Sequence, residues 1–292
     1  MKRTGRFVRM AAALFAVCCL AAVPSGTSAA YGAVRATEAS GTVTYGNSKV
    51  KIDASHTNDG YLMVKYSGRN SRIKVQITHD ATYTYDLNAR DAYEVFPLTE
   101  GDGSYSIKVF ENISGNQYAQ AFSQSIQVAL SDPNLPFLYP NQYVNFHAGS
   151  NAVAVSSQLS EGAADQLGIV TNVFNFVVDN LTYDYEKAAT VQSGYLPDVD
   201  VTLETKKGIC FDYASLMTAM LRAQDIPTKL VIGYTGDLYH AWISVYLENQ
   251  GWVDNIIYFD GQNWSMMDPT FASSGGKSYG AGNETYRAKY SY

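Results

Sequence analysis

Gly208-Ile209-Cys210-Phe211-Asp212-Tyr213 runs directly into Ala214-Ser215-Leu216-Met217-Thr218-Ala219-Met220-Leu221-Arg222-Ala223-Gln224. Read as a helix, the stretch sets Tyr213, Leu216, Met217, Met220 and Leu221 at the offsets of one apolar face, so it has to lie against a partner. Cys210 falls in the first turn. Unpaired N–H groups and the positive end of the helix dipole favour the thiolate there. Taken alone, the position fits either a nucleophile or a core thiol, since free cysteine is among the most buried residue types. The helix should end at Asp225-Ile226-Pro227, where proline cannot continue it and Asp225 can take a left-handed cap conformation.

The partner comes next in the chain. Lys229-Leu230-Val231-Ile232-Gly233-Tyr234 is rich in branched residues and reads as a strand, followed by a turn at Gly236-Asp237. In Tyr239 to Leu247, period two puts His240, Trp242, Ser244 and Tyr246 on one face and Ala241, Ile243, Val245 and Leu247 on the other. Trp252 to Phe259 and Trp264 to Met267 read as further strands, joined by Asp260-Gly261-Gln262-Asn263, and Asp268-Pro269-Thr270 closes the series. Upstream, Leu167, Val170, Val173, Phe174, Val177 and Val178 recur at helical spacing within 162–180. A helix on an antiparallel sheet is an α+β arrangement.

The first half carries a different pattern. Segments 60–66, 72–78, 81–87, 92–96, 103–110 and 120–128 mostly alternate apolar and polar residues between turn signals such as Glu100-Gly101-Asp102-Gly103. Short strands at that spacing suggest an immunoglobulin-like sandwich over 41–130, although the Cys…Trp…Cys signature is absent. Its many tyrosines are read as cross-strand packing rather than a carbohydrate site. Three of the 8 prolines fall between Ser131 and Pro140, which marks 131–148 as a linker. The C-terminal domain then covers 149–275, and the Gly-, Ser- and Tyr-rich residues 276–292 are expected to be a flexible tail.

Residues 1–30 read as a secretory signal peptide. Lys2, Arg3, Arg6 and Arg9 precede an apolar run from Met10 to Val23, and Ser28-Ala29-Ala30 offers small residues for cleavage. The run is short for a membrane span, and Phe15-Ala16-Val17 before Cys18 makes a poor lipoprotein box. Of 3 cysteines, Cys18 and Cys19 lie in this segment, leaving Cys210. A lone thiol in an oxidising exterior forms no internal disulfide and is a liability if idle. The formal charge of −6 becomes more negative once the four basic residues are removed, which argues against nucleic acid or an anionic membrane as partner. His79 and His147 have no companions at metal-ligand spacing, and neither a metal nor another cofactor is expected.

A cysteine at a helix start, a histidine at a strand start and an aspartate at the end of a later strand supply the parts of an activated thiol nucleophile. Cys210 would attack a carbonyl, His240 would hold the proton, and Asp268 would fix the imidazole tautomer. The backbone N–H of Cys210 would serve as one oxyanion donor, with Tyr183, Tyr185 and Gln192 as candidates for a second and Trp242 as a candidate cleft wall.

These residues resemble the transglutaminase-like superfamily, with its circularly rearranged papain-like core. Four blocks carry the resemblance: Lys207-Gly208-Ile209-Cys210-Phe211-Asp212-Tyr213-Ala214, Leu221 to Pro227, His240-Ala241-Trp242 and Met267-Asp268-Pro269-Thr270. It spans roughly 165–272 and implies Cys210 as nucleophile, His240 as base and Asp268 as orienting residue, with a calcium-independent mechanism. Asp225 stands where many members have glycine. The longer stretch between His240 and Asp268 makes Asp254 a rival third residue, and Asp268 is preferred for the Pro-Thr that follows it. In animal transglutaminases an upstream tryptophan helps bind the oxyanion; all 3 tryptophans here, Trp242, Trp252 and Trp264, lie downstream of Cys210. The expected protein is therefore secreted or held at the cell surface, and acts on amide bonds of protein, peptide or peptidoglycan. Hydrolysis is favoured over transfer to an amine, with a non-catalytic wall-binding module as the other class of reading.

Overall fold

Period-two alternation becomes alternation of burial in Ile73–Thr78, where Ile73, Val75 and Ile77 point inward and Lys74, Gln76 and Thr78 stay half-exposed. The computed structural model describes residues 34–254, 257–259, 264–266 and 286–292. In chain order the first eight strands are β1 (Thr44–Gly46), β2 (Val50–Asp53), β3 (Tyr61–Tyr66), β4 (Ile73–Thr78), β5 (Thr82–Asp86), β6 (Glu94–Pro97), β7 (Gly103–Ser114) and β8 (Gln117–Val128). They form two antiparallel four-stranded sheets, ordered β1-β2-β3-β6 and β5-β4-β7-β8. Val50, Ile52, Leu62 and Val64 from the first sheet share one core with Val75, Tyr85, Ile107 and Val109 from the second. β1 and β2 were not anticipated, because three and four residues carry too few alternations to stand out.

Residues 131–148 are packed rather than open. They hold a short 3-10 turn at Leu135–Phe137, and Phe137, Leu138, Val144 and Phe146 are buried. Five helices follow with two short strands between them: α1 (Asn151–Ser160), α2 (Gln166–Asn180), β9 (Thr182–Tyr183), α3 (Tyr185–Thr190), α4 (Val199–Thr205), β10 (Lys207–Gly208) and α5 (Cys210–Arg222). Helix α2 starts at Asp165, whose side chain caps Gly168 N–H at 2.8 Å. Strand β9 pairs in parallel with β10, which fixes the approach of the chain to Cys210.

Then come β11 (Thr228–Thr235), β12 (Leu238–Leu247), β13 (Gly251–Val253), β14 (Ile257–Phe259), β15 (Trp264–Met266) and β16 (Tyr286–Ser291). An antiparallel sheet of order β13-β12-β11-β16 backs α5, while α1, α2 and α4 pack on the helix's other sides. The amphipathic reading of α5 therefore understates its burial. Every residue from Asp212 to Arg222 is buried, and Ser215 fits because its Oγ donates to the Tyr143 carbonyl at 2.7 Å. Likewise both faces of β12 are covered from His240 to Val245.

The flexible tail is corrected at its end. Tyr286–Ser291 hydrogen-bonds along β11, and Tyr292 is buried, with its N–H donating to the Leu230 carbonyl at 2.9 Å. Tyr290 and Tyr292 pack against Tyr83, and Tyr292 also meets Tyr85 and Tyr143, so ring burial holds the strand in place. One continuous apolar core joins the two N-terminal sheets to α5 and its sheet. The fold is a mixture of helices and antiparallel sheets. No helix among the described residues is long and apolar enough to cross a membrane.

Candidate active site

Cys210 is the first residue of α5, behind the extended N-cap Ile209. The first helical bond runs from Tyr213 N–H to the Ile209 carbonyl at 3.1 Å, so the N–H groups of Cys210 and Phe211 precede the ladder. Asp212, fully buried, turns back to accept from Ile209 N–H at 2.8 Å. Isoleucine has no side-chain acceptor to return that bond, so this is half of a capping box. Gly208 makes room for the arrangement: a Cβ there would stand 2.6 Å from Asp212 Cβ. The Asp212 carboxylate also receives Lys187 Nζ at 2.7 Å and the hydroxyl of Tyr195. Lys187 reaches the Tyr195 hydroxyl as well, at 2.5 Å. Burial, followed by the bond to Asp212, pushes the Tyr195 phenol well above its ordinary pKa. These contacts tie α3 and the loop after it to the start of the cysteine helix.

His240 is buried near the start of β12, opposite Gly233 of β11. Its ring stacks along the strand face with Trp242, with centroids 6.4 Å apart. Trp242 in turn lies over Gly233, where a Cβ would stand 2.7 Å from the indole and 2.1 Å from the Arg287 carbonyl. That glycine lets β16 approach at the irregularity between Ile232 and Gly233.

Cys210 and His240 line the same cavity, of about 580 Å3, together with Tyr183 and Gln192. Cys210 is half-buried and its thiol is free. Gln192 Nε2 donates to the Thr190 carbonyl at 2.8 Å, which fixes its amide. Two expected members fall outside the lining. Tyr185 is exposed and packs edge-on against Tyr183, and Trp242 is held over Gly233 inside the sheet. Asp254 is exposed, does not line the cavity, and its charge lies near Lys229. Asp268 lies outside the described residues.

Sequence reasoning missed much of the wall: Tyr143, Tyr195, Phe211, Tyr239, Tyr290 and Tyr292. Tyr239 adjoins His240 and Phe211 adjoins Cys210, a signal that was available; Tyr143 and Tyr195 come from segments with no periodicity. Among the described residues no group of three His, Cys, Asp or Glu side chains stands close enough to hold a metal ion.

Residues 153–269 match the family model of the transglutaminase-like superfamily. This segment is a transglutaminase-like domain. It contains Cys210, His240 and the segment of Asp268. A protein-glutamine gamma-glutamyltransferase of Pseudomonas aeruginosa is 25% identical over 148 residues, 46% of this chain and 21% of that protein. A UPF0252 protein of Methanocaldococcus jannaschii is 33% identical over 97 residues, 29% of this chain and 28% of its own. The chain thus spans less than a third of these curated relatives. Among solved structures, a candidate cysteine protease of Cytophaga hutchinsonii is 16% identical, with 78% of each chain covered and a TM-score of 0.33.

Proposed function

We propose that this protein is an exported thiol enzyme that opens amide bonds through Cys210, His240 and Asp268, with water as the usual acceptor. The supporting observation is that Cys210, at the first position of α5, and the buried His240 of β12 line one cavity and both belong to the segment that matches the transglutaminase-like superfamily. The Cys210 thiolate attacks the amide carbon while its proton rests on His240. The N–H of Cys210 steadies the oxyanion, and the imidazolium protonates the departing ammonia or amine. Water, deprotonated by His240, then attacks the thioester, releasing a carboxylic acid and restoring the thiol. Asp268 orients the imidazole through its other N–H.

The strand orders β1-β2-β3-β6 and β5-β4-β7-β8, with a shared core, support an immunoglobulin-like sandwich as the companion domain. Export rests on the basic and apolar character of residues 1–30. A second reading replaces water by a primary amine and makes the protein a cross-linking acyltransferase; the likeness to the Pseudomonas protein-glutamine gamma-glutamyltransferase favours it.

The test incubates the protein and its Cys210→Ala variant with a glutamine-containing protein and a labelled primary amine. Release of ammonia or peptide without label, lost in the variant, is the expected outcome. Label incorporation lost in the variant would select the transferase, and identical behaviour of the two proteins would remove Cys210 from the chemistry.

A further inference from the structure

Exposed apolar surface gathers around this cavity. Val191, Leu238 and Tyr239 are among the few large apolar side chains exposed in the described residues, at 37%, 57% and 56%, and all three line it. Val191 follows α3, whereas Leu238 and Tyr239 open β12, so the mouth is apolar on both sides. Deeper, Tyr143, Phe211, Tyr290 and Tyr292 present ring surface. No Asp, Glu, Lys or Arg among the described residues lines the cavity. The ion pair against its wall, Lys187–Asp212, is closed on itself and on Tyr195. Burial pushes the Tyr143 phenol up to about 12 and moves those of Tyr239 and Tyr292 upward, so these three stay neutral.

A charged group entering here would lose hydration and find no Lys, Arg, Asp or Glu counter-ion among the described lining residues, and a proton on His240 is balanced by the Cys210 thiolate. An anion would also approach a chain of net charge −6. Aromatic or aliphatic side chains would bury against rings on the floor and against the exposed rim.

We infer that the cleft takes its acyl donor as a polypeptide segment whose residues beside the reacting amide are uncharged and aromatic or aliphatic, and that it rejects carboxylate-rich donors such as peptidoglycan stem peptides. The inference rests on the reading of Cys210 as nucleophile for the chemistry, while the binding preference is separable from it.

The test therefore reads binding and turnover apart. The Cys210→Ala protein is titrated with two fluorescent peptides of equal length, glutamine flanked by tyrosine and leucine or glutamine flanked by glutamate, and wild type is assayed on the same pair. The neutral peptide is expected to bind about tenfold tighter, a difference of about 1.4 kcal/mol. Replacing the exposed rim by Leu238→Ser and Tyr239→Ser should weaken it several-fold and leave the acidic peptide unchanged. Equal affinities, a tighter acidic peptide or no binding of either would overturn the inference. Neutral preference in binding with no turnover by wild type would uphold the cleft's selectivity and sink the nucleophile. Equal turnover of both peptides would do the reverse.

Discussion

Gly208 and Asp212 hold Cys210 at the start of its helix by steric and electrostatic means that can be separated. Gly208→Ala places a methyl group within 2.6 Å of Asp212 Cβ and is expected to cost about 1–3 kcal/mol, as overpacking does. Asp212→Asn leaves Lys187 without its carboxylate. Because the Lys187 side chain is 29% exposed, the loss should be about 2 kcal/mol, below the figure of about 3–5 for a fully buried pair. Urea unfolding checks both, and Asp212→Asn should leave a folded protein. Cys210 and His240 were legible because one is the lone thiol left after residues 1–30 and the other opens a strand in the right order. Lys187 and Tyr195 were not: they stand 25 and 17 residues from Asp212, in a short helix and a polar loop where no spacing announces a partner.

At the scale of elements, Arg222 ties the far end of α5 to the start of β11, to the residue after β16 and to the segment before α1. It is fully buried, and its guanidinium donates to the carbonyls of Tyr139 at 2.6 Å, Thr228 at 2.8 Å and Tyr292 at 2.6 Å. Burial lowers its pKa to about 9, which still leaves it charged at neutral pH. Arg222→Met strips those carbonyls of their donor and should destabilise by about 3 kcal/mol or more; Arg222→Lys, able to reach fewer of them, should lose less. Thermal melts of the two variants decide the order. Strands β4 and β5 were legible because their burial alternates residue by residue. Helices α1, α3 and α4 passed unread: α1 is built of alanine, valine and serine in a weak pattern, and the other two are six and seven residues long. The left-handed turn at Asp225, φ 57°, was foreseen from the following Ile-Pro. Strand β16 was not, because its pairing with β11 spans the whole domain and no local feature encodes it.

Across the molecule, aromatic burial links the two N-terminal sheets to the C-terminal half and makes stability sensitive to alkaline pH. Tyr83 of β5 and Tyr143 are both pushed up to about 12, chiefly by burial. Their folded pKa values exceed those of the unfolded chain, so the stabilisation is complete below about pH 10 and is lost as pH rises toward 12. Urea midpoints should fall across that window, while Tyr83→Phe with Tyr143→Phe flattens the slope. The continuous core was hidden from sequence reading because Tyr83 and Tyr85 meet Tyr290 and Tyr292 only in three dimensions. The central claim, that Cys210 is a nucleophile activated by His240, is tested most directly by the rate of Cys210 alkylation by iodoacetamide from acid to alkaline pH, in wild type and in His240→Ala. The account expects wild-type Cys210 to be alkylated much faster at neutral pH than a model thiol, and the rate to fall in the variant. A thiol that reacts no faster than the model thiol in both proteins, or that does not react in either, would contradict it.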